Sequence, residues 1–234
     1  PTFASATSNT VMATFTPAPA CTTTAASWSS VGSYTFGVGV FTVTAATGPN
    51  LNDNTIMSAV NTGTGYLSRT GSIAPIVLYR GNTYPSAISY GTQSTYQEAQ
   101  VWIDFNNDGI FQTTEEVTGV IGLGLTTTTI NPVNFNINIP LSAPVGLHLM
   151  RIRGIWESIA TTLGVYPARL DPCALNFAGS APSYYSGTCV DYYVDIQTAP
   201  PCVGAPTAGT INATKTNGCT PYTSNLSLIG ASTS

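Results

Sequence analysis

The sequence predicts an all-β protein built as an antiparallel β-sandwich of the jelly-roll or immunoglobulin-like kind. Three observations lead to this prediction. Hydrophobic residues recur at every second position in several segments, and no segment sustains the 3.6-residue period of an amphipathic helix. Proline and glycine separate these segments, as at Thr47–Asn50 and Ser142–Pro144. Charged residues are few, whereas threonine, serine, glycine and proline are abundant, as is typical of all-β domains.

Four segments show the two-residue alternation most clearly. They are Tyr34 to Val40, Val133 to Ile139, Met150 to Arg153, and Val190 to Ile196. In the second segment the hydrophobic positions alternate with asparagines, and in the third they alternate with arginines. Each segment therefore predicts a strand with one buried face.

An acidic segment follows the hydrophobic run Val101–Ile103 and places oxygen-bearing side chains at alternate positions. Its spacing meets the calcium-loop pattern, including a glycine, Gly109, at position six for the sharp turn. The predicted ligands are Asp104, Asn106, Asp108, the backbone carbonyl of Ile110, and either Glu115 or Glu116. The alternative interpretation is an Asn-Asp-Gly hairpin turn whose acids are solvated.

The residues before the acidic segment argue against a true EF-hand, which needs an amphipathic helix on each side. Val101, Trp102 and Ile103 instead favour a strand. We therefore expect a calcium-type loop on a β scaffold, where the cation stiffens a turn rather than opening a pair of helices. Such a site is expected to have the dissociation constant of extracellular modules, on the order of 0.1–1 mM.

Composition and charge exclude several classes of partner. The chain of 234 residues has a formal net charge of −4 and a single lysine, Lys215, so it offers no basic surface to nucleic acid or acidic lipid. No apolar run approaches the roughly 20 residues of a transmembrane helix. We expect a secreted or cell-surface protein whose signal sequence lies upstream and has been removed.

The five cysteines predict disulfides, since no pair has the spacing of a zinc or redox site. Pairing nearest neighbours joins Cys173 to Cys189 and Cys202 to Cys219, each disulfide contributing about 3 kcal/mol in the chain-entropy model. Cys21 is then left over. It either pairs outside this chain or takes the place of one partner in that scheme. Five reduced thiols in a cytosolic protein are the remaining alternative.

An internal similarity bears on domain organisation. The sequence from Val194 to Cys202 echoes the sequence from Ala13 to Cys21, because both run from a strand through an Ala-Pro hinge to a cysteine. We interpret residues 1–20 as the closing strand of a preceding module, or an exchanged strand, followed by a hinge. Residues 21–198 form one complete module, and residues 199–234 hold a proline hinge and the start of another.

The acidic segment and two other motifs resemble the GEVED domain of secreted and cell-surface bacterial proteins of the Bacteroidetes type. The motifs are Val101-Trp-Ile-Asp-Phe-Asn-Asn-Asp-Gly-Ile-Phe111 with Glu115-Glu-Val117, then Pro144-Val-Gly146 with Met150-Arg-Ile-Arg153, and finally Gly187-Thr-Cys-Val-Asp-Tyr192. In the last motif Thr188 and Val190 replace both glutamates of the family pattern, so Asp191 is the only acid carried over. The tail from Cys202 is similar to the start of an immunoglobulin-like repeat.

The resemblance implies a β-sandwich module of cell-surface and secreted proteins that has no catalytic chemistry of its own. Together with the low charge, the cysteines and the repeated hinge, it leads us to expect that the module has a structural role within an adhesin, surface fibre or filament. Its expected partners are neighbouring modules or subunits of the same protein. Catalysis is not expected, because the single histidine, His148, lies in a predicted strand without a motif around it and the paired carboxylates belong to the calcium-type loop. Asn212 and Asn225 begin weak glycosylation sequons.

A carbohydrate-binding accessory module of a secreted enzyme is the alternative function. Tyr184 and Tyr185 lie in a loop rich in proline, serine and glycine, where they could stack on sugar rings. Surface glycans are then the partner.

Overall fold

A computed structural model describes most of the first 200 residues and two short strands beyond them. The described residues are 17–18, 20–21, 30–31, 34–35, 37–59, 65–91, 97–119, 121–122, 131–156, 170–173, 186–200, 210–213 and 226–229. The chain divides into two compact units, Pro1–Thr198 and Ala199–Ser234. In the second unit β13 (Thr210–Ala213) and β14 (Leu226–Ile229) form an antiparallel pair.

The described secondary-structure elements of the first unit are almost all strands. In chain order they are β1 (Ser30–Val31), β2 (Tyr34–Thr35), β3 (Val38–Val43), β4 (Leu51–Asp53), β5 (Tyr66–Ser68), β6 (Ile76–Tyr79), β7 (Thr83–Tyr90), β8 (Gln97–Asp104), β9 (Ile121–Gly122), β10 (Val133–Asn138), β11 (Gly146–Trp156) and β12 (Ser186–Gln197). The described helices are α1 (Ile56–Ala59) and a 3₁₀ turn (Thr113–Glu115). No described helix has the length and apolar character needed to cross a membrane.

Two sheets make up the body of the first unit. The smaller has the strand order β10-β7-β3-β4, and all its pairs are antiparallel. The larger has the order β5-β12-β11-β8-β9, with β6 also paired to β12. β5 and β6 join β12 in parallel, and its other described pairs are antiparallel. β1 and β2 form a separate two-stranded ribbon.

The hydrophobic core lies between the two sheets. Phe41 from the smaller sheet contacts Tyr192 from the larger one, with ring centroids 5.6 Å apart. Ile88 and Ile137 of the smaller sheet are fully buried together with Ile152 of the larger sheet. The predicted β-sandwich is therefore confirmed, and its stability comes from apolar surface that both sheets remove from water.

Strands are present at three of the four predicted segments, but the segment from Tyr34 to Val40 is divided between β2 and β3 at Gly37, which has a positive φ of 80°. The larger sheet also departs from the prediction of one buried face for each strand. Met150 and Ile152 face the core as expected, whereas Arg151 and Arg153 on the opposite face are also buried. A second apolar cluster covers that face and includes Trp102, Phe111, Leu149, Ile155 and Leu170. Segments distant in the sequence fold over the arginines, so the alternation of hydrophobic and charged residues did not reveal the second buried face.

Asp53 connects the two sheets through a buried polar cluster. Its carboxylate accepts hydrogen bonds from Arg69, from the backbone and hydroxyl of Thr55, and from the Tyr192 hydroxyl. Burial alone would raise the pKa of Asp53, but these hydrogen bonds outweigh it and hold the pKa below its ordinary value. The charged carboxylate is therefore the form that stabilises the folded state.

Acidification is expected to weaken this cluster. Because the folded pKa of Asp53 is depressed, its stabilising contribution is complete above the unfolded pKa of about 4 and is lost as the pH falls through the folded pKa. Asp53→Asn is expected to cost about 1–3 kcal/mol at pH 7 and less below pH 4. Urea unfolding of both proteins between pH 7 and 2.5 measures this. Asp195→Asn is the matched control, and parallel curves for the wild type and Asp53→Asn would contradict the prediction.

Candidate functional site

The acidic loop, residues 104–116, begins at the last residue of β8. Asp104 is fully buried, and its two carboxylate oxygens accept hydrogen bonds from the backbone N–H groups of Asp108 (3.2 Å) and Gly109 (2.9 Å). Two residues have left-handed backbone angles, Asn107 with φ 57° and Gly109 with φ 82°. Glycine adopts this conformation without the steric cost of a Cβ, which explains the glycine at position six of the pattern.

Glu115 closes the acidic loop from its other end. Its Oε1 accepts hydrogen bonds from the backbone of Phe105 (2.9 Å) and Asn106 (3.2 Å), and its Oε2 accepts one from the backbone of Gln112 (3.0 Å). The side chain is 3% exposed. Glu116 instead forms a backbone bridge with Trp102, next to the β8 strand. Glu115 is therefore the glutamate that enters the loop.

The rim of the loop consists of polar side chains, of which Asn106 and Asp108 are exposed and Gln112 is half-buried. Asp108 Oδ2 accepts hydrogen bonds from the side-chain amides of Asn106 (3.0 Å) and Gln112 (2.7 Å). Asp108 Oδ1 accepts one from the backbone of Ile110, which is the main cause of the lowered pKa of Asp108. Gln112 did not appear among the predicted ligands. The sequence feature that could have identified Gln112 is its position, the ninth of the calcium-loop pattern, where a residue often binds the cation through a water molecule.

Negative charge converges inside the acidic loop. Burial raises the pKa of Asp104 and of Glu115, and each is raised further by a neighbouring acid. The ion pairs of the described residues, Arg69 with Asp53 and Arg151 with Asp191, lie elsewhere. In the described region the carboxylates of Asp104 and Glu115 are thus held by N–H groups rather than by cationic side chains.

The side-chain oxygen atoms of the loop are the type of ligand that a hard cation such as calcium prefers. Most of them already accept hydrogen bonds from other groups of the loop. Among the described residues, no three acidic, histidine or cysteine side chains are grouped as a metal site. A cation therefore needs amide and backbone oxygens as well, as the sequence pattern predicts. The Asp104 carboxylate accepts hydrogen bonds from the backbone of Asn107, Asp108 and Gly109 and retains acceptor capacity, and the buried Oδ1 of Asn107 accepts none. Binding would require the Asn106–Asp108 side-chain bond to open.

His148 supports the start of the loop. Its ring nitrogens lie 3.0 Å from the carbonyl oxygen of Asp104 and 3.1 Å from that of Pro144, and the residue is buried. The side-chain amide of Asn107 donates to the carbonyl of Leu147 one residue earlier on β11. The histidine thus contacts backbone on both sides, in line with the structural role predicted from sequence.

A disulfide between Cys21 and Cys173 lies beside the acidic loop and corrects the predicted pairing. These cysteines are separated by 152 residues, and their Cα atoms are 5.6 Å apart. The predicted Cys173–Cys189 disulfide is therefore wrong, because Cys189 lies buried within the regular ladder of β12 while Cys173 meets a distant segment. Cys21 therefore takes the place of Cys189 as the partner of Cys173, which is one of the alternatives left open by the sequence. Cys202 and Cys219 lie outside the described residues.

Arg151 joins the disulfide, the larger sheet and the acidic loop. Its guanidinium donates two hydrogen bonds of 2.7 Å to the Asp191 carboxylate and others to the carbonyls of Cys21 (3.0 Å) and Pro172 (3.1 Å). The same group lies 4.9 Å from the ring centre of Phe111. Burial would lower the pKa of Arg151, but neighbouring negative groups outweigh it and raise the pKa. The alternation of residues 150–153 predicts one buried face, and Arg151 lies on the opposite face, which is buried as well.

The segment before the disulfide also contacts the acidic loop directly. The Cys21 backbone N–H donates to the carbonyl of Gly109 over 2.9 Å. Pro17 is buried, and Ala20 packs against the cluster around Trp102. We call residues 17, 18, 20 and 21 the Cys21 segment. It covers the face of the larger sheet on which Arg151 lies.

The fold and the site together define an all-β module in which an acidic loop and a disulfide-bound segment lie against one sheet. Residues 98–195 match the model of the family described as the GEVED domain. The match runs from β8 to β12 and confirms the resemblance recognised from the motifs in this part of the chain. The family is of a non-catalytic type. No curated protein and no solved structure matches the chain.

The positions that depart from the family motif face the core. Val190 is fully buried between the sheets. The Thr188 hydroxyl accepts a hydrogen bond from the Val38 backbone N–H and donates to the carbonyl of Val38 on β3. A Cβ on Gly154 would lie 2.6 Å from the Val38 nitrogen, so the glycine permits this close approach of the two sheets. Asp191, the retained acid, faces the opposite side and binds Arg151.

The remaining predicted site residues lie mostly beyond the described part of the chain. Tyr184, Tyr185 and Asn225 are outside the described residues, and Asn212 is described only as a backbone position of β13. Ile110 is described, and its side chain is 58% exposed at the rim of the acidic loop.

Proposed function

We propose that the chain is a non-catalytic, extracellular structural module of a bacterial surface protein, fibre or filament, stiffened by calcium and by disulfide bonding. The observation that carries the proposal is the convergence of Asp104 and Glu115 in a buried loop where backbone N–H groups hold both carboxylates. Two partly desolvated acids without a cationic side chain favour a bound divalent cation.

Calcium would be held by the side-chain oxygens of Asp104, Asn106, Asp108 and Glu115 and by the carbonyl of Ile110. It would supply positive charge to a loop whose acids otherwise repel one another. Two hydrogen bonds would extend this stabilisation beyond the cation. Glu115 accepts one from the backbone of Phe105 at the start of the loop, and the Gly109 carbonyl accepts one from the backbone of Cys21. The site would therefore link the Cys21 segment to β8.

The disulfide supports the extracellular assignment. Structural disulfides persist in oxidising compartments and are rare in the cytosol, where thiols are kept reduced. The Cys21–Cys173 bond joins two covering segments and so fixes them over the sheet. Such a bond suits a module that carries load between its neighbours outside the cell.

The contacts of His148 favour a non-catalytic role. It is the chain's single histidine, it is buried, and both of its ring nitrogens face backbone carbonyls. A general base must reach the proton of a substrate, which this placement prevents. The alternative function, carbohydrate binding, depends on Tyr184 and Tyr185, and no described feature favours it.

Calcium is expected to stabilise the module measurably. With a dissociation constant of about 0.1–1 mM, 10 mM calcium would add about 1.5–3 kcal/mol to the free energy of unfolding. Thermal unfolding after chelation, with and without added calcium, measures this. Asp108→Asn is expected to remove most of the calcium effect while leaving the chelated protein's melting temperature nearly unchanged, because Asp108 is exposed.

Asp195→Asn is the matched control, since Asp195 lies on β12 and bonds to Gln197 rather than to the acidic loop. It should retain the full calcium response. Melting temperatures that are identical with and without calcium, together with no metal in elemental analysis, would overturn the calcium proposal. An equal response from Asp108→Asn would show that calcium acts elsewhere.

A further inference from the structure

β10 forms one edge of the smaller sheet and presents unused backbone groups. It pairs with β7 on one side, and no described strand pairs with its other side. The Ile139 backbone exchanges hydrogen bonds with Asn82 and Gly81 at the β7 side. In a strand, the N–H and C=O groups of successive residues point alternately to its two sides. Those of Asn134, Asn136 and Asn138 therefore point outward from the edge.

Within its six residues, the β10 edge lacks the features that usually prevent strand pairing, and Pro132 and Pro140 limit any pairing to this short stretch. Between Val133 and Asn138 there is no proline and no charged residue, and the register with β7 runs without a bulge. The three asparagine side chains are exposed, while Val133 and Phe135 are only half-buried at the margin of the core. The other described edges are shorter: β4 and β5 have three residues each, β6 has four and β9 has two.

We propose that this edge pairs with β10 of a second copy of the chain, antiparallel and centred on Asn136. A two-fold axis through this position sets Asn136 opposite the partner's Asn136 and Asn134 opposite the partner's Asn138. Outward backbone groups then meet outward backbone groups, as a hydrogen-bonded antiparallel pair requires. The smaller sheets of the two copies would form one continuous eight-stranded sheet.

The side chains are self-complementary in this register. On the outer face, amides meet amides, each of which carries both donors and an acceptor. On the inner face, Phe135 lies opposite the partner's Ile137, and Val133 lies opposite the partner's Ile139. The pairing would cover the half-buried Val133 and Phe135, whereas both isoleucines are already buried within their own copy. The chain is acidic overall, but the paired strands carry no charge, so a second copy meets no like-charge repulsion at the contact.

A second copy suits this edge because the two-fold register sets outward backbone groups opposite outward backbone groups and brings no charged side chain to the contact. An edge of six residues buries less than the roughly 1,200 Å² of a standard stable interface, so the pairing is weak for isolated chains. It becomes effective where many copies are held at high local concentration. The inference concerns a different face from the acidic loop and does not rest on calcium binding.

Sedimentation velocity of the full chain at about 10 μM to 1 mM, in chelator and again in calcium, tests this pairing. The wild type is expected to shift towards dimer as concentration rises. Asn136→Lys should remain monomeric because two lysines would face each other across the axis. Asn52→Lys, which adds the same charge to the exposed face of β4 at the far edge, should dimerise like the wild type. A wild type that stays monomeric throughout, or an Asn136→Lys protein that still dimerises, would overturn the proposal.

Cysteine cross-linking provides an independent test of the register. Under mild oxidation, Asn136→Cys is expected to give disulfide-linked dimers at least several-fold faster than Asn52→Cys at equal concentration. Equal rates would mean random collision and would also overturn the proposal. Unchanged melting temperatures of the variants show that each one is folded.

Discussion

Replacing Arg151 with methionine is expected to lower the free energy of unfolding by about 3–5 kcal/mol, as is usual when one partner of a buried ion pair is removed. Arg151 is 1% exposed and Asp191 is 2% exposed, so the remaining carboxylate would stay buried with the Tyr66 hydroxyl as its described side-chain donor. The carbonyls of Cys21 and Pro172 would also lose a donor. Urea unfolding at neutral pH measures the loss.

A double-mutant cycle separates the ion pair from general packing. Asp191→Asn alone leaves the arginine charge unbalanced, whereas Arg151→Met with Asp191→Asn leaves neither charge. We expect the double variant to be more stable than the sum of the single losses predicts, by about 1–3 kcal/mol. Arg80→Met, at a half-buried arginine outside the described ion pairs, should cost less than about 1 kcal/mol. Additive losses would argue against the pair.

The strands could be predicted because their signal is local. A hydrophobic residue at every second position can be recognised within the six to twelve residues of a single strand. The segments with this pattern form β10 and β12 in the structure. The second buried face of the larger sheet could not be predicted this way. This second face is buried because Cys21, 130 positions away from Arg151, and residues 170–173 cover it. The alternation of arginines with hydrophobic residues carries no information about these distant segments.

The acidic loop was predictable for the same reason. Asp104, Asp108 and Glu115 lie within twelve residues, and alternate spacing with a glycine brings them to one turn. The choice between Glu115 and Glu116 required the structure, because neighbouring side chains diverge and only the fold decides which one points inward. The disulfide was mispredicted because loop length along the chain was the guide, although proximity in the fold decides which cysteines meet.

Removing the Cys21–Cys173 disulfide with Cys21→Ser and Cys173→Ser together is expected to lower the free energy of unfolding by about 3–5 kcal/mol. For a sequence separation of 152 positions, the chain-entropy model assigns the disulfide about 5 kcal/mol, and relaxation of the folded state reduces the measured effect. The loss has a structural part as well. The Cys21 segment packs on the cluster around Trp102, which is fully buried, and the disulfide holds that segment in place.

Tryptophan fluorescence is the suitable measurement, because all three tryptophans lie within the first unit. A reducing agent should destabilise the wild type by the same amount as the double serine variant and should leave the variant itself unchanged. The calcium response should also weaken in the variant, since Cys21 and the acidic loop share the hydrogen bond to Gly109. Full stability and a full calcium response in the variant would show that the disulfide does not stiffen the module. They would also contradict the proposal that the acidic loop links the Cys21 segment to β8.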